Sequence, residues 1–240
     1  MPRFPVKQND IEGLRAVISG SDFRHIVKVL RMREGDSIIL FDENSVEYDG
    51  RIARIGSREV IVEIKTSRKV ATDSPLNITL LQGLSKRDNM DFIVEKATEL
   101  GVHTIVPVVT DRSQVRTGYK KTRWELIAHE ASKQCGRTKP PIIENTLNFV
   151  EAIKYSKQYE LSIILHVGYK SSLKNFLKYS LQHPKNIIVL IGPEGGFSEN
   201  EVLLASEMGF TSLGLGPRTL RTETAGIAVL SIIQFHHGDL

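Results

Sequence analysis

The sequence predicts an α/β protein: a small β-rich unit followed by a larger unit with a parallel sheet. Three observations carry this expectation. Residues 37–65 hold three β-rich runs separated by turn residues. From residue 76 onward, short apolar runs alternate with segments whose apolar side chains recur at helical spacing. Two of those runs, 161–167 and 187–191, are almost continuously apolar, as strands covered on both faces are.

The opening residues mix Pro2, Arg3, Pro5 and Lys7 with scattered apolar side chains, without the apolar stretch of an export signal. A helical stretch is expected at 23–31. Strands are expected at 37–41, 46–55 and 59–65, and in the last of these, from Glu59 to Lys65, apolar and polar residues alternate as in a half-buried strand. Glu34-Gly35-Asp36, Glu43-Asn44-Ser45 and Gly56-Ser57-Arg58 supply the turns. Short strands joined this tightly suggest a small barrel. The polar stretch 66–75, ending in Pro75, reads as a linker.

Beyond it, 78–84 reads as a strand, and Met90, Ile93, Val94, Ala97 and Leu100 mark a helix stopped by Gly101. A strand at 104–109 precedes a helix marked by Trp124, Ile127, Ala128, Ala131 and Cys135 and closed by Gly136. Ser198 and Glu201 have the spacing of a capping box, opening a helix that Gly209 closes. A strand at 211–215 and an apolar helix at 222–235 complete the chain, with His236-His237 read as a polar tail.

Composition narrows the functional classes. At 40% hydrophobic and 25% charged, the chain can build a core without staples. Cys135 stands alone, which excludes an internal disulfide framework and suits a reducing cytoplasm. No apolar run approaches the roughly 20 residues of a membrane span. The histidines show no ligand spacing, so no metal is expected. Net charge is +4, a mild bias, but residues 111–140 hold eight basic side chains (Arg112, Arg116, Lys120, Lys121, Arg123, Lys133, Arg137, Lys139) against three acids. That segment reads either as a solvated helix face or as a phosphate-contacting surface.

Two glycine-rich segments carry the chemistry. Gly192-Pro193-Glu194-Gly195-Gly196-Phe197-Ser198 follows a buried strand and precedes a capped helix. Leu215-Gly216-Pro217-Arg218-Thr219-Leu220-Arg221-Thr222-Glu223-Thr224-Ala225 follows the next strand and leads into the apolar helix. Neither is a dinucleotide fingerprint or a phosphate loop, because Gly-x-Gly-x-x-Gly and Gly-Lys-Ser/Thr are absent. Ligands of open α/β sheets bind beyond the carboxyl ends of strands, where both segments fall. The two loops are expected to end neighbouring strands and to face one pocket, with Leu165-His166-Val167-Gly168 as a third wall. Such a pocket suits a flat, uncharged ring such as adenosine. His166 taken alone is more often an ordinary strand-end histidine than a functional group.

These two segments resemble the signature of the RsmE-type 16S ribosomal RNA (uracil-1498-N3)-methyltransferases. His25 to Met32 with Gly35-Asp36, Lys86 with Glu95 to Gly101, Arg112-Ser113, and Glu130-Ala131 with Gln134 and Arg137 extend the resemblance over about residues 20–235. The resemblance implies a PUA-like RNA-binding β-barrel at 1–72 and a SPOUT methyltransferase domain with a deep trefoil knot at 73–240. It implies a homodimer that binds S-adenosylmethionine and acts on 16S ribosomal RNA or the small ribosomal subunit. It assigns Leu165, His166, Gly192, Glu194, Gly195, Gly196, Leu215, Gly216, Leu220, Arg221, Thr222, Glu223, Thr224 and Ala225 to the cofactor.

Methyl transfer to uracil N3 needs the base unpaired and its proton removed, and a cation near the carbonyl oxygens would stabilise the resulting anion. Arg137 and Arg221 are the candidates for that cation, with Glu130 orienting an arginine or accepting a proton. RNA contacts are expected from Lys86, Arg112, Gln134 and Arg137, and from Arg24, Lys28, Arg31 and Arg33. Of the last four, Arg24, Lys28 and Arg31 have the spacing of one helical face. A ribose or guanine methyltransferase acting on transfer RNA, and an RNA-binding module without catalysis, remain open alternatives at this point.

Overall fold

The computed structural model describes residues 1–70, 72–114, 121–169, 171–179 and 183–240. The chain divides into two compact units, Met1–Asp73 with Ser132–Lys139, and Ser74–Ala131 with Pro140–Leu240.

The first unit contains β1 (Arg3–Pro5), β2 (Ile11–Glu12), β3 (Arg15–Ser19), α1 (Gly20–Arg24), β4 (Ser37–Phe41), β5 (Val46–Ile55) and β6 (Glu59–Lys69). The strands form one sheet in the order β1-β4-β5-β6-β3-β2. Only the β1–β4 pair is parallel. The alternation in β6 turns Val60, Val62 and Ile64 inward. They share one core with Phe4 of β1 and with Ala16 and Ile18 of β3, so the sheet curls around a single apolar centre. Two register shifts in β5, at Asp49/Gly50 and Ile52/Arg54, assist that curvature.

Two expectations are corrected here. β6 continues to Lys69, paired through to Val46, so the first four residues of the supposed linker are strand. Backbone pairing along a hairpin persists after the side chains become polar. The helical segment is also irregular. α1 passes into a π-turn at His25–Val29, and Arg31 lies beyond it with φ 53°. The wider turn and the left-handed residue break the periodicity that was to align Arg24, Lys28 and Arg31.

The second unit contains β7 (Asn77–Gly83), α2 (Arg87–Glu99), β8 (Thr104–Val109), α3 (Lys121–Cys135), β9 (Ile142–Ile143), β10 (Leu147–Asn148), α4 (Phe149–Ile153) and β11 (Leu161–Leu165). It continues with β12 (Ser171–Ser172), α5 (Leu173–Tyr179), β13 (Asn186–Ile191), α6 (Glu199–Glu207), β14 (Thr211–Gly214) and α7 (Thr222–His237). The last residues of α3 belong to the first unit. All pairings in the sheet β10-β8-β7-β13-β11-β14-β12 are parallel, with β9 beside β8.

Each central strand divides its side chains between two cores. Ile78 and Leu80, Ile187 and Val189 pack with α2, α3, α5 and α7. Leu81, Ile188 and Leu190 pack with α4 and α6 on the other side. Ser198 and Glu201 form the expected capping box of α6. The predicted stops at Gly101, Gly136 and Gly209 all have positive φ (77°, 85° and 93°), where a side chain would be strained. His236 and His237 lie in the last turn of α7, not in a tail, because that helix continues two residues beyond its apolar pattern. Among the described residues no helix is long and apolar enough to cross a membrane.

Candidate functional site

β13, β11 and β14 are consecutive in the sheet and parallel, so their carboxyl ends share one edge. The segments 192–198, 166–169 and 215–221 leave from that edge. Contrary to the expectation from the sequence, the two glycine-rich loops do not end neighbouring strands. β11 lies between them, since crossover connections allow spatial order to differ from chain order.

The first loop is tied to its surroundings by charge-assisted bonds. Glu194 Oε1 accepts the Lys86 backbone N–H and the Asn89 Nδ2–H, both at 3.0 Å. These donors sit at the amino end of α2, which no other side chain caps at Lys86. A carboxylate is favourable there. Arg112 Nη1 donates to the Gly195 carbonyl at 3.1 Å. The Glu201 carboxylate, 3% exposed, accepts the backbone N–H of Asp111 through one oxygen and that of Ser198 through the other, both at 2.9 Å. At the end of β7 the loop comes so close that a Cβ on Gly83 would lie 2.6 Å from Pro193.

The other two loops are joined to each other. The His166 N–H donates to the Leu213 carbonyl at 3.1 Å, and the Tyr169 hydroxyl donates to the Gly216 carbonyl at 3.1 Å. A Cβ on Gly214 would fall inside the Tyr169 ring. Leu165 and Leu215 are half-buried against the core, and His166, Gly216 and Leu220 are also half-buried. Arg221 is exposed at the residue preceding α7. Thr222 begins that helix and is buried; its hydroxyl donates to the Gly192 carbonyl at 2.6 Å. Thr224 is exposed and Ala225 half-buried. Glu223 Oε2 is buried without a hydrogen-bond partner among the described residues. An unpartnered buried acceptor in the first turn of α7, directly after the segment 215–221, suits a ligand that brings its own donor.

The other predicted residues are dispersed. Lys86 and Arg112 are exposed beside the first loop. Glu130 is exposed on α3, its carboxylate 3.8 Å from His129 Nδ1. Arg24, Lys28, Arg31, Arg33 and Gln134 are exposed residues of the first unit, and the Arg33 N–H donates to Asp36 at 2.7 Å. Arg137, in the same unit, is 6% exposed and its Nε donates to Asp73 at 3.1 Å. Arg116 and Lys120 lie outside the described residues. Sequence reasoning missed Gln82, Tyr169 and the connecting role of Glu201. A glutamine in the apolar run 78–84 was the available signal for the first.

A family model described as an RNA methyltransferase domain matches residues 72–234. Ribosomal RNA small subunit methyltransferase E of Bacillus subtilis is 31% identical over 241 residues, covering 95% of this chain and 93% of that one. The chain belongs to the ribosomal RNA small subunit methyltransferase E family. A second model, described as an RNA methyltransferase PUA domain, matches residues 18–65. This member of the methyltransferase E family is therefore an α/β RNA methyltransferase with a PUA domain. It is similar throughout to the solved methyltransferase E of Neisseria gonorrhoeae bound to S-adenosyl methionine, at 33% identity and TM-score 0.87, covering 100% of this chain and 99% of that one. A methyltransferase from Legionella pneumophila, in complex with bound cofactor SAM, is 35% identical with TM-score 0.86 over 100% of both chains.

Proposed function

We propose that this chain methylates N3 of one specific uridine in 16S ribosomal RNA of the small ribosomal subunit, with S-adenosylmethionine as methyl donor. The observation that carries the reading is the meeting of three loops at the carboxyl ends of β13, β11 and β14, with a buried carboxylate oxygen of Glu223 left unpartnered. The likeness to two solved proteins that hold the same cofactor supports it.

The residues present fit an adenosine-bearing ligand. Backbone groups of Gly192, Gly195, Gly196 and Gly216 can approach a flat ring closely. Leu165, Leu215 and Leu220 offer apolar contact, and Glu223 offers an acceptor. S-Adenosylmethionine supplies an electrophilic methyl group on a sulfonium. The protein's own work is to hold the uracil unpaired and in line, and positioning of this kind can lower a barrier by about 7 to 11 kcal/mol at best. Arg221, exposed at the mouth of the third loop, is the side chain we assign to the uracil oxygens as the N3 proton leaves. Arg137 is already engaged by Asp73, so we assign it to holding the first unit together. Glu130 remains the candidate that orients an RNA-facing arginine.

The finer organisation follows the same reading. The PUA-like domain, 1–72, holds RNA through Arg24, Lys28, Arg31 and Arg33. The SPOUT domain, 73–240, transfers the methyl group. A trefoil knot is supported by the path after β14, which returns so that Thr222 bonds Gly192 and α7 packs on α2. A homodimer is supported by the outward side of α7, where Ile232 is 39% and Phe235 78% exposed. A ribosomal RNA modifier of this kind works in the cytoplasm.

The test is incubation with labelled cofactor and small-subunit particles, followed by nucleoside analysis. Label in 3-methyluridine is the expected result. Label in a ribose-methylated nucleoside would overturn the assignment of N3.

A further inference from the structure

The two glycine-rich loops leave strands that do not touch. β11 pairs with both strands and spaces them, and a second tie, between the loops themselves, comes from β7 on the far side of β13. Gln82 sits at the carboxyl end of β7 with no exposed surface. Its Nε2 donates to the Thr222 hydroxyl at 3.1 Å and to the Gly83 carbonyl at 3.0 Å. The Thr222 hydroxyl in turn donates to the Gly192 carbonyl at 2.6 Å. One amide therefore orders a relay from β7 to the first residue of α7 and on to the first residue of the loop after β13. Because Nε2 has only donors, the Thr222 oxygen must accept from it and is left with its single proton for Gly192. Gln82 Oε1 is buried without a partner among the described residues and lies 3.8 Å from the place of a Cβ on Gly226, so the amide is held against the first turns of α7.

We infer that Gln82 is a positioning residue for the methyl-donor site: it sets the distance between the loop at 192 and the start of α7, and hence the width of the cradle between them. The inference rests on the reading of these loops as the S-adenosylmethionine site. It assigns Gln82 no contact with the reacting atoms.

The experiment measures S-adenosylmethionine binding by calorimetry, methylation of small-subunit particles at saturating cofactor, and thermal melting, for the intact protein and four variants. Gln82→Leu keeps the bulk and removes both donors. Its expected effect is about a tenfold rise in cofactor Kd, with kcat within about twofold, the size of one or two buried hydrogen bonds. Thr222→Val, which removes the middle of the relay, should raise Kd by at least as much, and Gln82→Leu in the Thr222→Val background should add little further, because the relay is already broken. Gln82→Met, which keeps similar bulk and has no N–H or O–H to donate, should bind as poorly as Gln82→Leu. If Gln82→Leu does not fold, Gln82→Met decides in its place. Unchanged Kd in the folded variants, or a fall in kcat with Kd unchanged, would overturn the inference. Failure of the unsubstituted protein to bind the cofactor would instead sink the functional reading beneath it.

Discussion

Replacing Gly214 by alanine tests how closely the second and third loops must approach. The added methyl group would fall inside the Tyr169 ring. The ring cannot simply swing aside, because its hydroxyl donates to the Gly216 carbonyl at 3.1 Å and thereby joins the segment after β11 to that after β14. Overpacking of this kind costs about 1 to 3 kcal/mol. Loss of the tyrosine hydrogen bond adds about 1 kcal/mol. Both penalties fall on the two segments proposed to enclose the cofactor. Calorimetry should therefore show S-adenosylmethionine affinity weakened by roughly 30-fold or more for a penalty of about 2 kcal/mol or above. Tyr169→Phe keeps the ring and loses only the bond, so its effect should be about fivefold. Tyr169→Ala in the Gly214→Ala background should recover part of the lost affinity, since the ring is then gone. An alanine at 214 that leaves both affinity and melting temperature unchanged would refute the close-approach argument.

Three further outcomes follow from the same structure. Glu201→Gln removes the charge from a buried carboxyl that accepts two backbone N–H groups, so chemical denaturation should show a loss of about 2 to 3 kcal/mol. Arg137→Ala removes the cationic partner of Asp73, whose side chain is 28% exposed and keeps the Thr138 hydroxyl, and should lower stability by about 1 to 3 kcal/mol while leaving cofactor affinity unchanged, as melting and calorimetry together would show. Burial pushes the His237 imidazole below its ordinary value of 6.5, with His236 and His183 adding to the effect. The unfolded chain then binds the proton that the native helix rejects, so stability is complete above about pH 6.5 and declines as pH falls through that value. Melting curves of the intact protein and His237→Gln between pH 5 and 8 should show a shallower acid loss in the variant.

The parts of the fold legible in the sequence were those written into local pattern. The runs 37–41, 46–55 and 104–109 match strands because turn residues bound them on both sides. The capping box at Ser198 and Glu201 is a three-residue signal and was legible for that reason. β9, β10 and β12 have two residues each, too few for any periodicity, and α4 and α5, with five and seven, span two turns at most. The site was legible to the extent that glycine marks it. What sequence could not show was which partner each polar side chain takes. Glu194 lies 108 positions from Lys86, and Gln82 lies 140 from Thr222, distances that only the sheet order brings to contact. The same holds for Arg137, whose residue type suggests RNA while its Nε donates to Asp73.

A crystal structure of the protein grown with S-adenosylmethionine tests the central claim most directly. The account predicts adenosine density bounded by residues 166–169, 192–196 and 215–225, with the Glu223 carboxylate newly engaged. Cofactor bound elsewhere, with those three segments unchanged and Glu223 still unpartnered, would contradict it.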